Sequence, residues 1–104
     1  PSGTGIVNVT GNLGVGTTTP SEKLEVAGNV GINGFITHNG DSGTFMGWSG
    51  DDTNVFYTAG NERLRIDASG NVGVGTSTPT NGKLEIQQGT CGNWYFDTSI
   101  TTSY

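Results

Sequence analysis

The chain has 104 residues, of which 31% are hydrophobic and 12% charged, with 19 glycines and a net charge of −5 from 4 Lys and Arg against 9 Asp and Glu. That balance argues against a nucleic-acid or anionic-membrane partner, which needs a basic patch, and no apolar run approaches the roughly 18 residues of a membrane span. There is too little apolar content for an ordinary globular core, too little charge for a charge-rich disordered chain, and only one cysteine, Cys91, so an intrachain disulfide framework is excluded.

In chain order, the sequence predicts short strands separated by glycine and asparagine, with no helix. The strands are expected at Ile6–Val9, Lys23–Val26, Asn29–Ile32, Phe35–His38, Thr44–Trp48, Asn54–Thr58, Arg63–Asp67, Asn71–Val74, Lys83–Gln87 and Asn93–Asp97. The glycine-free stretch Asp51–Ala59 has a Val-Phe-Tyr-Thr centre, which favours strand over helix. Turns are expected at Asn39-Gly40, Ser49-Gly50-Asp51-Asp52, Ala59-Gly60-Asn61 and Ala68-Ser69-Gly70-Asn71, where Gly or Asn takes positive φ.

One phrase occurs twice, GNLGVGTTTPSEKLEV from Gly11 to Val26 and GNVGVGTSTPTNGKLEI from Gly70 to Ile86, with the copies 59 residues apart up to Pro20 and Pro79. The second copy carries one extra residue after its proline, which marks that stretch as a loop. Such a repeat implies units that borrow burial from their neighbours, and a symmetric association of chains suits it. Three ladders, Lys23-Leu24-Glu25-Val26, Arg63-Leu64-Arg65-Ile66 and Lys83-Leu84-Glu85-Ile86, alternate with period 2. Each places two aliphatics on one face and two charges on a face expected to be solvated. The first two ladders are followed by a turn and Gly-Asn-Val-Gly-aliphatic, a strand–turn–strand unit. Alternate glycines in Gly14-Val15-Gly16 and Gly73-Val74-Gly75 allow close backbone approach, which suits chains wound about a common axis.

NERLRIDASGNVGVGTSTP, followed by a short spacer and KLEI, resembles the repeats of bacteriophage tail fibres and tail spikes, where a phrase like ERMRIDSSGNVGIGTTSP recurs upstream of a self-cleaving chaperone domain. The segment from Gly40 to Trp48, with Asp52-Thr53, Val55 to Thr58 and Gly60 to Arg63, is similar to what precedes that phrase in such fibres. The likeness covers roughly Gly11 to Ile86; no chaperone domain is present, and Thr90 to Tyr104 matches nothing in the pattern. Similar repeats occur in bacterial surface proteins. The resemblance implies an elongated all-β homotrimer of short intertwined strands, like a β-prism or triple-stranded β-helix, on a virion tail fibre or an extracellular surface. The expected trimer core is Leu24, Val26, Val30, Ile32, Leu64, Ile66, Val72, Val74, Leu84 and Ile86. Residues 1–10 would end a preceding unit, 11–69 form a first unit with a β insertion at 35–58, 70–89 start a second unit, and 90–104 start a further one. Starting at Pro1 without methionine, the chain is expected to be a fragment of something longer.

Sites of chemistry are sparse. Gly11-x-x-Gly14-x-Gly16-Thr17 lacks the lysine and the helix of a phosphate loop and reads as a turn. His38 is the sole histidine, so a triad or a zinc site within one chain is not expected; three copies meeting on an axis would be its one route to a metal. Asp41, Asp51, Asp52 and Asp67 sit beside Gly and Ser, where capping of turn amides is their ordinary role, ahead of calcium binding or paired catalysis. No catalytic residue, cofactor or metal is predicted. The large aromatics are read as packing, with Trp48 and Tyr57 the candidate contacts to a host cell-surface glycan.

The expected function is a mechanical stalk that holds a distal binding tip, with the chain partnered by itself as a homotrimer. A glycan-reading module of the same fibre is the second class. A polysaccharide depolymerase is a remote third, which would need an acid/base pair that the sequence does not single out.

Overall fold

The computed structural model describes residues 5–87, and Asn93–Asp97 lies outside them. Among the described residues every regular element is a strand. The chain falls into two compact units that divide between Asn33 and Gly34, within the first repeat unit predicted at 11–69.

The first unit contains β1 (Leu13–Val15) and β2 (Leu24–Val26), paired in parallel with Leu13 opposite Leu24 and Val15 opposite Val26. The second unit is a six-stranded sheet in sequence order: β3 (Ile36–His38), β4 (Asp41–Gly50), β5 (Thr53–Thr58), β6 (Asn61–Ile66), β7 (Val72–Val74) and β8 (Leu84–Ile86). Neighbouring strands run antiparallel except for β7 and β8, which are parallel. The turn chemistry read from the sequence holds. Ala59 and Gly60 both have positive φ, 51° and 75°, between paired Thr58 and Asn61, as a type I′ hairpin requires. Gly40 (φ 84°) and Asp52 (φ 60°) reverse the chain in the two preceding hairpins.

The two copies of the repeat fold alike. In each, a strand is followed by a loop that returns to place a second strand beside it in parallel, and the Asn, Thr, Pro, Lys, Glu and first alternate Gly of the phrase hold that loop. Asn12 Nδ2 donates to Pro20 O at 3.0 Å and Asn71 Nδ2 to Pro79 O at 3.1 Å, tying the loop's far end to the strand's start. Thr17 and Thr76 accept the amides of Thr19 and Thr78. The Glu25 carboxylate accepts Ser21 N–H, and Glu85 accepts Thr80 and Asn81 N–H. Lys23 Nζ donates to Thr10 O and Lys83 Nζ to Ser69 O. A Cβ on Gly14 would stand 2.4 Å from Thr17 O, and one on Gly73 2.5 Å from Thr76 O, with Pro20 or Pro79 next to each. The close approach these glycines make within the chain is therefore to its own loop.

Two further expectations change. Ile6–Val9 and Asn29–Ile32 are not strands. Although Gly28 to Ile32 matches Gly70 to Val74 in type, Asn33-Gly34 follows it in place of the Gly-Thr-x-x-Pro loop. A Cβ on Gly31 accordingly meets nothing within 4 Å, so this stretch has no loop to pack it and no parallel partner. Val30 and Ile32, expected in a trimer core, lie outside any strand, 58% and 38% exposed.

Candidate functional site

Side chains alternate between the faces of a strand, and directly opposed residues share a face, so the register of the six-stranded sheet defines its two surfaces. The first carries Val55, 0% exposed and the only buried hydrophobic side chain of the core among the described residues. On this face Phe45 pairs with Tyr57, their rings stacked with centroids 4.5 Å apart, and Phe35 packs on Phe45 at 4.6 Å. A Cβ on buried Gly47 would meet Phe35 Cδ1 at 2.7 Å, so glycine here admits the ring. Further along, Arg65 donates two bonds to Glu62, from Nε at 2.8 Å and Nη2 at 2.7 Å. This guanidinium–carboxylate fork is largely removed from water and holds the Arg65 pKa above its usual value. The loop after β7 closes the end of the face, with Pro79 and Thr76 buried against Gly73.

The opposite face is apolar and bare. One row crosses all six strands through successive ladder partners: Ile36, Met46, Phe56, Leu64, Val74 and Ile86. A second row runs Trp48, Asn54, Ile66, Val72 and Leu84. Neither row contains a charge, and Asn54 is the one polar side chain in the two. Ile36, Met46, Trp48, Phe56, Ile66 and Leu84 are each between 39% and 50% exposed. A groove of about 180 Å³ runs between the rows, lined among others by Ile36, Met46, Trp48, Asn54, Phe56 and Ile66. Fully burying a Phe or Trp removes roughly 150–250 Å² from water, so the patch reaches several hundred Å², the size at which an apolar surface marks an interaction site. The paired strands of the first unit repeat the pattern, with Leu13, Val15 and Leu24 exposed on one face.

The expected division of wet and dry faces is blurred within a single chain. On the charged side Lys23, Arg63 and Lys83 are exposed while Glu25, Arg65 and Glu85 are half-buried by loops or by the ion pair; on the aliphatic side Leu24, Ile66 and Leu84 are exposed while Val26, Leu64 and Ile86 are half-buried. The reason lies in the loops, whose amides need carboxylate acceptors and therefore fold over the charged side.

Of the predicted core residues, Leu64, Ile66, Val72, Val74, Leu84 and Ile86 share the bare face of one sheet, and Leu24 and Val26 share a face in the other unit. Ile36, Met46 and Phe56 join that face and were not among the predicted core. Strict alternation between adjacent Phe56 and Tyr57 was the signal that would have separated them. Trp48 and Tyr57 come out on opposite faces. His38 sits exposed at the β3–β4 turn with Nδ1 3.8 Å from Asp41 Oδ2. Asp41 accepts Gly43 N–H at 3.0 Å and the Thr44 hydroxyl at 2.8 Å, bonds that lower its pKa. Asp67 accepts the Ser69 and Asn71 amides. Both aspartates therefore serve their turns. No family model matches the chain, and no curated protein matches it.

Proposed function

We propose that this chain is a stalk segment of a homotrimeric fibre of the tail-fibre or surface-fibre kind, holding a distal receptor-binding tip away from a virion or cell. The observation that supports this is the uncharged double row of apolar side chains across the six-stranded sheet. Among the described residues Val55 and Pro79 are the largest side chains fully removed from water, so the folded chain leaves much apolar surface for another molecule to cover. A second copy offers a surface of the same chemistry, and the loops that would obstruct packing lie on the other face. The resemblance to phage fibre repeats supplies the number three, with three sheets turning their bare faces to one axis. Two sheets stacked face to face would be the competing arrangement.

A glycan-reading module is disfavoured by the surroundings of Trp48. Sugar sites combine an aromatic platform with several hydrogen-bonding groups, whereas Trp48 is flanked by Met46, Phe56 and Ile66 with Asn54 alone to donate or accept. Tyr57, the other candidate contact, is committed to Phe45 on the far face. Mass measurement in solution tests the reading. Three copies per particle are expected, and a folded monomer or a dimer would overturn the trimeric stalk.

A further inference from the structure

We propose that the free edge of β1 is a strand-addition site to which residues 5–7 of the same chain, unpaired in this structure, add as an antiparallel strand with Val7 opposite Leu13. In the second copy of the repeat, β7 is held on both sides, by β8 in parallel and by β6 antiparallel, with Ile66 opposite Val72 and Leu64 opposite Val74. In the first copy, β1 has β2 alone as a ladder partner among the described residues. Leu13 N–H and Val15 C=O are used toward β2, which turns the N–H and C=O of Gly14 to the open side. Unpaired edges of this kind recruit a strand.

The occupant follows from the 59-residue offset, which carries Asp67, Ser69 and Gly70 onto Asn8, Thr10 and Gly11, and Ile66 onto Val7. Asp67 closes the β6–β7 turn by accepting the Ser69 and Asn71 amides, and Asn8 carries the same acceptor oxygen. One contact of the counterpart turn, that of the lysine, is already in place. Lys23 Nζ bonds Thr10 O at 3.0 Å as Lys83 Nζ bonds Ser69 O at 3.4 Å. Ile6 and Val7, 86% and 84% exposed, are the most exposed large hydrophobics among the described residues. Pairing places Val7 on the face of Leu13, Val15 and Leu24, the face left open in the isolated unit. A lone two-stranded pair is marginal in water and a third strand supports it. This inference does not depend on the trimer, since the ladder is completed within one chain.

Cross-strand disulfides test it. Asp67–Asn71 and Arg63–Gly75 are hydrogen-bonding positions of the β6–β7 ladder, so Ile66–Val72 is the intervening non-bonded pair, with Cα atoms about 4.5 Å apart, inside the disulfide window. In a Cys91→Ser background, Ile66→Cys with Val72→Cys calibrates mild oxidation, and Val7→Cys with Leu13→Cys is the probe. Loss of both free thiols from the probe at a rate comparable to the calibrating pair, with the denatured mass that of one chain, is the expected result. Retention of both thiols while the calibrating pair closes would overturn the proposal. So would covalently linked chains, which would mean that a neighbour's segment takes the edge. Particle mass, recorded on the same samples, reports the trimer separately. Backbone exchange supplies a second reading without cysteine: Gly14 N–H should exchange as slowly as Gly73 N–H, and fast exchange at Gly14 alone would count against the added strand.

Discussion

Trp48 and Tyr57 stand on opposite faces of one sheet, Trp48 across from Asn54 on the bare apolar side and Tyr57 across from Phe45 on the covered side. The two cannot form a single aromatic platform for a sugar. Their separation leaves Trp48 within the bare face proposed to pack against other copies of the chain, and the following outcomes are expected of that proposal.

Leu64 is at the centre of the longer row, between Phe56 and Val74. Leu64→Asp places a charge where association would strip its water without a partner. Light scattering should show loss of the trimer, and circular dichroism a loss of strand signal. A variant that stays trimeric with unchanged melting would mean that this face is not the interface.

Trp48→Ala removes part of that face and leaves the hairpin turn at Asp51–Asp52 intact. Thermal stability should fall modestly while adsorption to cells is unchanged. A glycan reader would behave in the opposite way, since loss of an aromatic anchor at a hot spot commonly costs about 2 kcal/mol or more of binding, multiplied by avidity in a trimer. A stable Trp48→Ala trimer with tenfold weaker cell binding would therefore reject the stalk.

Gly73→Ala sets a methyl group against Thr76 O and Pro79. Overpacking at such a site costs about 1–3 kcal/mol, and chemical denaturation should register a loss of that size. Gly82→Ala is the control: its Cβ meets nothing within 4 Å, so stability should hold or rise by about 0.4–1 kcal/mol as unfolded-state entropy falls. Equal effects at the two positions would contradict the loop packing.

Glu25, Glu85 and Asp41 ionise below their usual range because backbone and side-chain donors of the neighbouring loops favour the charged form, Ser21 foremost for Glu25, Asn81 for Glu85 and Thr44 for Asp41. Between the unfolded and the lower folded pKa, the unfolded chain binds more protons, so stability rises with pH there. The contribution is complete above the unfolded carboxylate range and is lost as pH falls through the folded values. Melting temperatures recorded from neutral pH into that range should drop, and Glu25→Gln with Glu85→Gln should flatten the drop. An unchanged slope in the double variant would mean that these carboxylates do not hold the loops.

Much of the fold can be read from the residues alone. Period-2 alternation in Leu64-x-Ile66 and Leu84-x-Ile86 makes strands with one apolar face, Ala59-Gly60 makes a hairpin turn, and the duplicated phrase makes two like modules, because each of these depends on residues adjacent in the chain. The repeat also specified its own loop, in that Gly73 leaves the space, Thr76 bonds the turn, Pro79 fills the space and Glu85 accepts the amides. Which face of a ladder would be covered was decided only in three dimensions. Alternation separates Leu84 from Glu85 without saying which side the connecting loop crosses, and the loop's unpaired N–H groups draw it to the carboxylate side. Likewise, closely similar phrases at Gly28 and Gly70 take different structures, because a strand needs partners on its edges. Val72–Val74 has β6 and β8, while Val30-Gly31-Ile32 has no partner strand among the described residues.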